Sequence, residues 1–221
     1  MNTFTNKHRK NSIKNSLSLY GIIGSDNVNV PLLDAAEEAL RGGITMLQLR
    51  EKTLPIEEFI WEGRALKSLC VKYGVPLIIN DNVEVAKEVG ADGIHLGVGD
   101  ADINAARRIL GQNAIIGASA HNIREAVEAE RKGADYLGVG AAFGSGSKDN
   151  AVSLSGLQIY QEISSRVSIP IVAIGGITSA NLMKLKGLGI SGIALISAIF
   201  GTANIEAETV RFAQLVKELL D

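Results

Sequence analysis

The stretch Pro76-Leu77-Ile78-Ile79-Asn80-Asp81, followed after an amphipathic segment by Gly90-Ala91-Asp92-Gly93-Ile94-His95-Leu96, decides the fold. Two short apolar runs, 76–79 and 93–96, flank a piece of helical length. Such short runs, rich in β-branched residues, suit strands covered on both faces, the pattern of a parallel sheet. Gly90 marks the helix end, where a glycine readily takes the left-handed conformation. The unit therefore reads strand, helix, strand, with parallel strands joined by a right-handed crossover.

Outward from it the same unit recurs. Apolar runs at 19–23, 45–49, 114–117, 136–139, 170–174 and 192–196 bring the set to eight. The helix-to-strand joint returns as Gly42-Gly43-Ile44, Gly133-Ala134-Asp135-Tyr136 and Gly189-Ile190-Ser191-Gly192-Ile193. Ile56, Phe59, Ile60, Gly63, Leu66 and Cys70 recur at spacings of three and four, as do Val210, Ala213, Val216 and Leu220. Those spacings predict helices with these faces turned inward. About eight such units close a barrel, so the expected fold class is α/β, a single (β/α)8 TIM barrel. No linker divides the chain: the barrel is expected over 17–221, behind a flexible tail at 1–16.

Composition agrees. The 221 residues lie near the size of one barrel, and 46% hydrophobic content with 5% aromatics predicts a core of Ile, Val, Leu and Ala. A net charge of -2 points to neither a nucleic-acid nor an anionic-membrane partner. The lone Cys70 excludes an intrachain disulfide or a cysteine metal cluster and suits a cytoplasmic setting. Its spacing from Leu66 and Tyr73 makes it a packing residue. The tail carries Lys7, Arg9, Lys10 and Lys14 with no acid before Asp26, and it lacks the apolar centre of a secretory signal. A solvated tail is the favoured reading and a transit peptide the alternative. No stretch approaches the ~20 apolar residues of a membrane-spanning helix.

Polar residues gather where strands end, and barrel enzymes place their chemistry at the carboxyl ends. Gln48 and Arg50 close the second run, with Lys52 after them; Asn80 and Asp81 close the third. His95 ends the fourth with Asp100 beyond, and Ser119 ends the fifth. The sixth leads into Gly144-Ser145-Gly146-Ser147-Lys148, the seventh ends in Gly175-Gly176 and the eighth in Ile196-Ser197. The opposite ends read mostly Gly, Ala and Pro. Gln48, Arg50 and Lys52 alternate, so all three share one face if the strand continues. Arg and Lys at a barrel mouth suit an anion, the alternative being an ion pair such as Arg50 with Asp81. Asp81 and Asp100 suit Mg²⁺, which prefers oxygen ligands, although either alone could cap a helix. The Gly/Ser loop and the ends of runs seven and eight suit a second phosphate. His95 and His121 could serve as acid or base; a packing role is favoured for both.

Together these residues resemble the thiamine phosphate synthase family from about Leu19 to Leu219. The likeness is carried by Gln48-Leu49-Arg50-Glu51-Lys52, Asn80-Asp81, His95-Leu96-Gly97 with Asp100, Ser119-Ala120-His121, Lys148, Ile174-Gly175-Gly176-Ile177 and Ile196-Ser197-Ala198-Ile199. The resemblance implies condensation of 4-amino-2-methyl-5-hydroxymethylpyrimidine pyrophosphate with 4-methyl-5-(2-hydroxyethyl)thiazole phosphate, releasing pyrophosphate by a Mg²⁺-dependent dissociative substitution. By position it implies that Gln48, Arg50, Lys52, Asn80, Ser119 and Lys148 hold the pyrimidine pyrophosphate. Arg50, Lys52 and Lys148 would act on the leaving group and Asp81 and Asp100 on Mg²⁺. Ser145, Gly146, Ser147, Gly176, Ile196 and Ser197 would hold the thiazole phosphate. The family's loop usually reads Pro-Thr-x-Thr-Lys where this chain has Gly144-Ser145-Gly146-Ser147-Lys148, a departure that predicts weaker hold on that phosphate. The related thiazole tautomerase and a non-catalytic precursor-binding barrel are the rival readings, and a homo-oligomer is left open.

Overall fold

The computed structural model describes residues 11–99, 102–144 and 156–221. Eight strands hydrogen-bond in chain order into a closed barrel. They are β1 Leu19–Ile23, β2 Met46–Leu49, β3 Leu77–Asn80, β4 Gly93–Leu96, β5 Ile115–Ala120, β6 Tyr136–Gly140, β7 Ile171–Ile174 and β8 Gly192–Leu195. Neighbours run parallel throughout, including β8 back to β1, where Tyr20 pairs with Ala194. The helices are α1 Leu32–Gly42, α2 Ile56–Tyr73, α3 Val83–Val89, α4 Ile103–Leu110, α5 Ile123–Arg131, α6 Ile159–Ser164, α7 Ser197–Phe200 and α8 Ile205–Leu220. A 3-10 turn at Leu182–Leu185 stands between β7 and β8. The expected barrel is the observed fold.

The period of two along each strand divides the apolar residues between two cores. Outward-facing Leu47, Leu49, Leu77, Ile79, Ile94 and their counterparts join the helices in one cluster. Inward-facing Tyr20, Ile22, Met46, Ile78, Tyr136, Val172 and Ala194 fill the barrel itself. Residues 11–16, expected in the tail, are helical. Ile13 and Leu17 are buried there and pack with the interior cluster. Cys70 is fully buried among the helices, and burial pushes its thiol up to about 12, so it packs and does not react.

The joints behave as the repeat predicted. Gly43 ends α1 at φ 99° and Gly90 ends α3 at φ 65°, both left-handed. One helix face holds only in part. In α8 the buried stripe is Ile205, Thr209, Phe212, Val216 and Leu219, while Val210 and Leu220 are exposed. Val216 is buried as expected and Ala213 packs against the core, while Phe212 outweighs Val210 in choosing the face that meets α1.

Candidate functional site

The mouth at the carboxyl ends of the strands holds a cavity lined by Gln48, Arg50, Asn80, His95, Ser119 and Tyr136, among others. Each side chain arrives by the strand's own period. Gln48 follows Met46 on the inner face of β2, and Arg50 continues the alternation just past the strand, its N–H bonded to Ile23 O at 2.8 Å. Asn80 closes β3, His95 pairs with it in register on β4, and Ser119 lies two residues beyond Gly117 on β5. Gln48, Arg50, Asn80 and Ser119 are thus brought together as the sequence predicted.

Arg50 is half-buried, and among the described residues no carboxylate pairs with it. A guanidinium held this way at a cavity wall favours an anionic ligand, because a partly desolvated cation is costly without one. Lys52 departs from the expectation of a shared face. β2 ends at Leu49, the chain turns, and Lys52 Nζ reaches Asp26 Oδ2 at 3.5 Å, both partners at least a third exposed. Such an exposed pair is worth little.

Asp81 adopts φ 60°, the single non-glycine residue with positive φ among those described. Residues rarely hold this conformation unless their surroundings enforce it, and it clusters at functional sites. Asp81 N–H donates to His95 O at 2.9 Å, while its carboxylate accepts from Asn80 Nδ2 at 2.5 Å and from Gly97 N at 3.4 Å. Helix capping is not its role. Asn82 caps α3 by accepting from Val85 N at 2.9 Å, and Asp102 caps α4 by accepting from Ala105 N at 3.2 Å. A hard oxygen donor set aside from capping fits Mg²⁺. Its expected partner Asp100 lies outside the described residues, and no group of three potential metal ligands occurs among those described.

Beneath the mouth the cavity walls are linked. Gln48 Nε2 donates to Tyr20 Oη at 2.5 Å, and the Tyr20 and Tyr136 hydroxyls are 2.9 Å apart. Tyr136 Oη lies 3.0 Å from His95 Nδ1, and His95 Nε2 lies 3.1 Å from Ser119 Oγ. Burial pushes both phenols above their ordinary range, so they stay neutral. Sequence reasoning missed the tyrosines because they stand inside apolar runs. The signal was there: a tyrosine facing the interior of a small barrel needs a hydroxyl partner. His95 is thus a half-buried residue with both ring nitrogens hydrogen-bonded, which agrees with a packing role. His121 instead pairs with Glu125, Nδ1 to Oε2 at 2.9 Å, at the start of α5.

Across the mouth, Gly175 and Gly176 follow β7 at φ 98° and 63°. A Cβ on Gly176 would stand 2.7 Å from Phe143 O, so only glycine lets the backbones after β6 and β7 meet. Phe143 N–H donates to Gly175 O at 3.0 Å and fastens that contact. Ile196 precedes α7 and Ser197 opens it, where the Ser197 and Ala198 N–H groups have no intrahelical acceptor. Ser145, Gly146, Ser147 and Lys148 lie outside the described residues.

Known proteins share this chain's features. A family model described as thiamine monophosphate synthase matches residues 19–199. A thiamine-phosphate synthase of Clostridium tetani is 48% identical over 170 residues, 77% of this chain and 81% of that one. One from Geobacillus kaustophilus is 41% identical over 209 residues, covering 93% and 94%. Among solved structures, the thiamine phosphate pyrophosphorylase from Pyrococcus furiosus superposes with a TM-score of 0.86 at 38% identity, over 95% of this chain and 100% of that one.

Proposed function

The chain belongs to the thiamine monophosphate synthase family, and from that membership we propose that it joins 4-amino-2-methyl-5-hydroxymethylpyrimidine pyrophosphate to 4-methyl-5-(2-hydroxyethyl)thiazole phosphate, releasing pyrophosphate. The observation that carries the reading is Arg50, a guanidinium without a described carboxylate partner in the wall of a cavity shared with Gln48, Asn80 and Ser119. The pyrimidine lies in that cavity, with Arg50, Lys52 and Lys148 around its pyrophosphate. Positive charge placed where the leaving group gathers negative charge lowers the barrier to its departure. The methylene left behind is an electrophile that the thiazole nitrogen captures. No strong nucleophile is needed, because holding both rings in line supplies the remaining advantage.

Asp81 and Asp100 would hold Mg²⁺. Bound there, the ion neutralises pyrophosphate charge. Ser145, Gly146, Ser147, Gly176, Ile196 and Ser197 take the thiazole phosphate with hydroxyl and backbone donors. A cytoplasmic setting accords with a chain whose one cysteine, Cys70, is buried, and among the described residues no helix is long and apolar enough to cross a membrane. Tautomerase chemistry would leave Arg50 and Asp81 without a joint purpose.

Both substrates supplied with Mg²⁺ should yield thiamine phosphate; no product at any enzyme concentration sinks the proposal. Chelation by EDTA, or Asp81→Ala, should abolish turnover while thiazole phosphate still binds by calorimetry. Full activity in EDTA would remove the metal from the reading.

A further inference from the structure

The linked hydrogen bonds beneath the cavity have a direction. A hydroxyl that accepts a bond turns its single proton toward the next group. Tyr20 accepts from Gln48 Nε2, so its proton goes to Tyr136. Tyr136 then donates to His95 Nδ1. A neutral imidazole accepting at Nδ1 carries its proton on Nε2, which donates to Ser119 Oγ. Ser119, already accepting, keeps its own proton for the cavity. At the other end Gln48, with Nε2 turned to Tyr20, keeps Oε1 as an acceptor.

We propose that Tyr20 and Tyr136 are positioning residues whose hydroxyl pair, relayed by His95, sets Ser119 as a donor and Gln48 as an acceptor toward a bound ring. The ligand class that matches is a neutral aminopyrimidine, whose exocyclic amine donates while its ring nitrogens accept; this identification rests on the function proposed above. The scaffold makes specific room for the relay. A Cβ at Gly117 would collide with the Tyr136 ring, and one at Gly138 would stand 3.0 Å from His95 Cε1. The tyrosine rings meet edge to face, 6.0 Å between centroids. Both tyrosines are sealed from solvent, so no water competes for their protons. Direction in such a chain is cooperative: reversing it requires turning the Gln48 amide and moving the His95 proton together.

The test is the His95 tautomer, read by ¹⁵N NMR on labelled wild-type protein, with His8→Gln and His121→Gln assigning the signals. Protonation at Nε2 is expected; protonation at Nδ1 overturns the proposal. Tyr136→Phe keeps the ring and removes the relay. It should lower kcat about tenfold and raise KM for the pyrimidine substrate, leaving KM for thiazole phosphate unchanged. Tyr20→Phe added to it should raise KM for the pyrimidine substrate further, since it also frees the Gln48 amide that Tyr20 still holds; no further rise would overturn the part of the proposal that concerns Gln48. Wild-type kcat and KM in Tyr136→Phe would overturn the proposal. If the wild type makes no thiamine phosphate, the functional reading falls while the tautomer still decides the relay.

Discussion

The two ends of the barrel use charge in opposite ways. At the amino ends two ion pairs are completed within the chain. Lys67 Nζ meets Asp92 Oδ2 at 2.7 Å, and that carboxylate also accepts Leu77 N–H at 2.8 Å. Arg107 meets Asp135 at 2.7 Å, and Asp135 accepts Ile116 N–H at 2.9 Å. The aspartate of each Gly-Ala-Asp joint thus ties a strand start to the preceding helix. At the carboxyl ends Arg50 has no described ion-pair partner and Asp81 holds a left-handed backbone. The sequence reading took the amino ends for mostly Gly, Ala and Pro. Charge is present at both ends; among the described residues the two amino-end pairs close within the chain, whereas Arg50 at the mouth makes no described ion pair.

Arg50→Ala is the sharpest test of that contrast. Product formation should fall on the order of 10²–10³-fold, as when one charge-stabilising group is removed from an active site. The melting temperature should hold, because no described ion pair is lost; a drop of several degrees would make Arg50 structural and erase the contrast. Asp135→Ala should do the reverse. It takes the carboxylate from the Ile116 amide and from Arg107, which keeps carbonyl acceptors at Ala114 and Gly133, at a site where both side chains are under a fifth exposed, a loss of about 1–3 kcal/mol in urea denaturation. The folded fraction should keep its kcat, and a specific loss of turnover would show that the amino end serves catalysis. Gly117→Ala crosses between the two regimes. The added methyl must displace the Tyr136 ring, costing about 1–3 kcal/mol and lowering turnover together.

The smallest effect lies beside the mouth. Burial, with the Glu51 carboxyl charged and hydrogen-bonding beside it, pushes the Glu62 carboxyl up to about 7. A raised acid favours the protonated folded state. The stability it confers is therefore present in mild acid and is lost as pH rises from about 4.5 through 7. Glu62→Gln should match the wild type near pH 4.5 and exceed it at pH 8, by on the order of 1 kcal/mol after solvent screening. Equal melting curves at pH 8 would show that Glu62 ionises freely.

Much of this was readable from the chain. Arg50, Asn80 and Ser119 were found because each ends an apolar run, and period two fixes which side chains share a face. Lys52 escaped the same logic because its position follows a loop path after Leu49, which no period governs. Val210 and Leu220 of α8 fall outside the buried face because two apolar stripes compete along that helix and only packing against α1 chooses between them.

The sequence by itself determined the repeating unit, the closure class and the strand ends that carry chemistry. Those are local properties, written in periods of 2 and 3.6 and in glycines at helix ends. Tertiary structure alone decided which polar residues touch. Tyr20 and Tyr136 lie 116 positions apart and meet only because β1 and β6 face each other across a closed barrel. Whether a charge is paired or waiting for a ligand is likewise a property of the space around it, which no local pattern encodes.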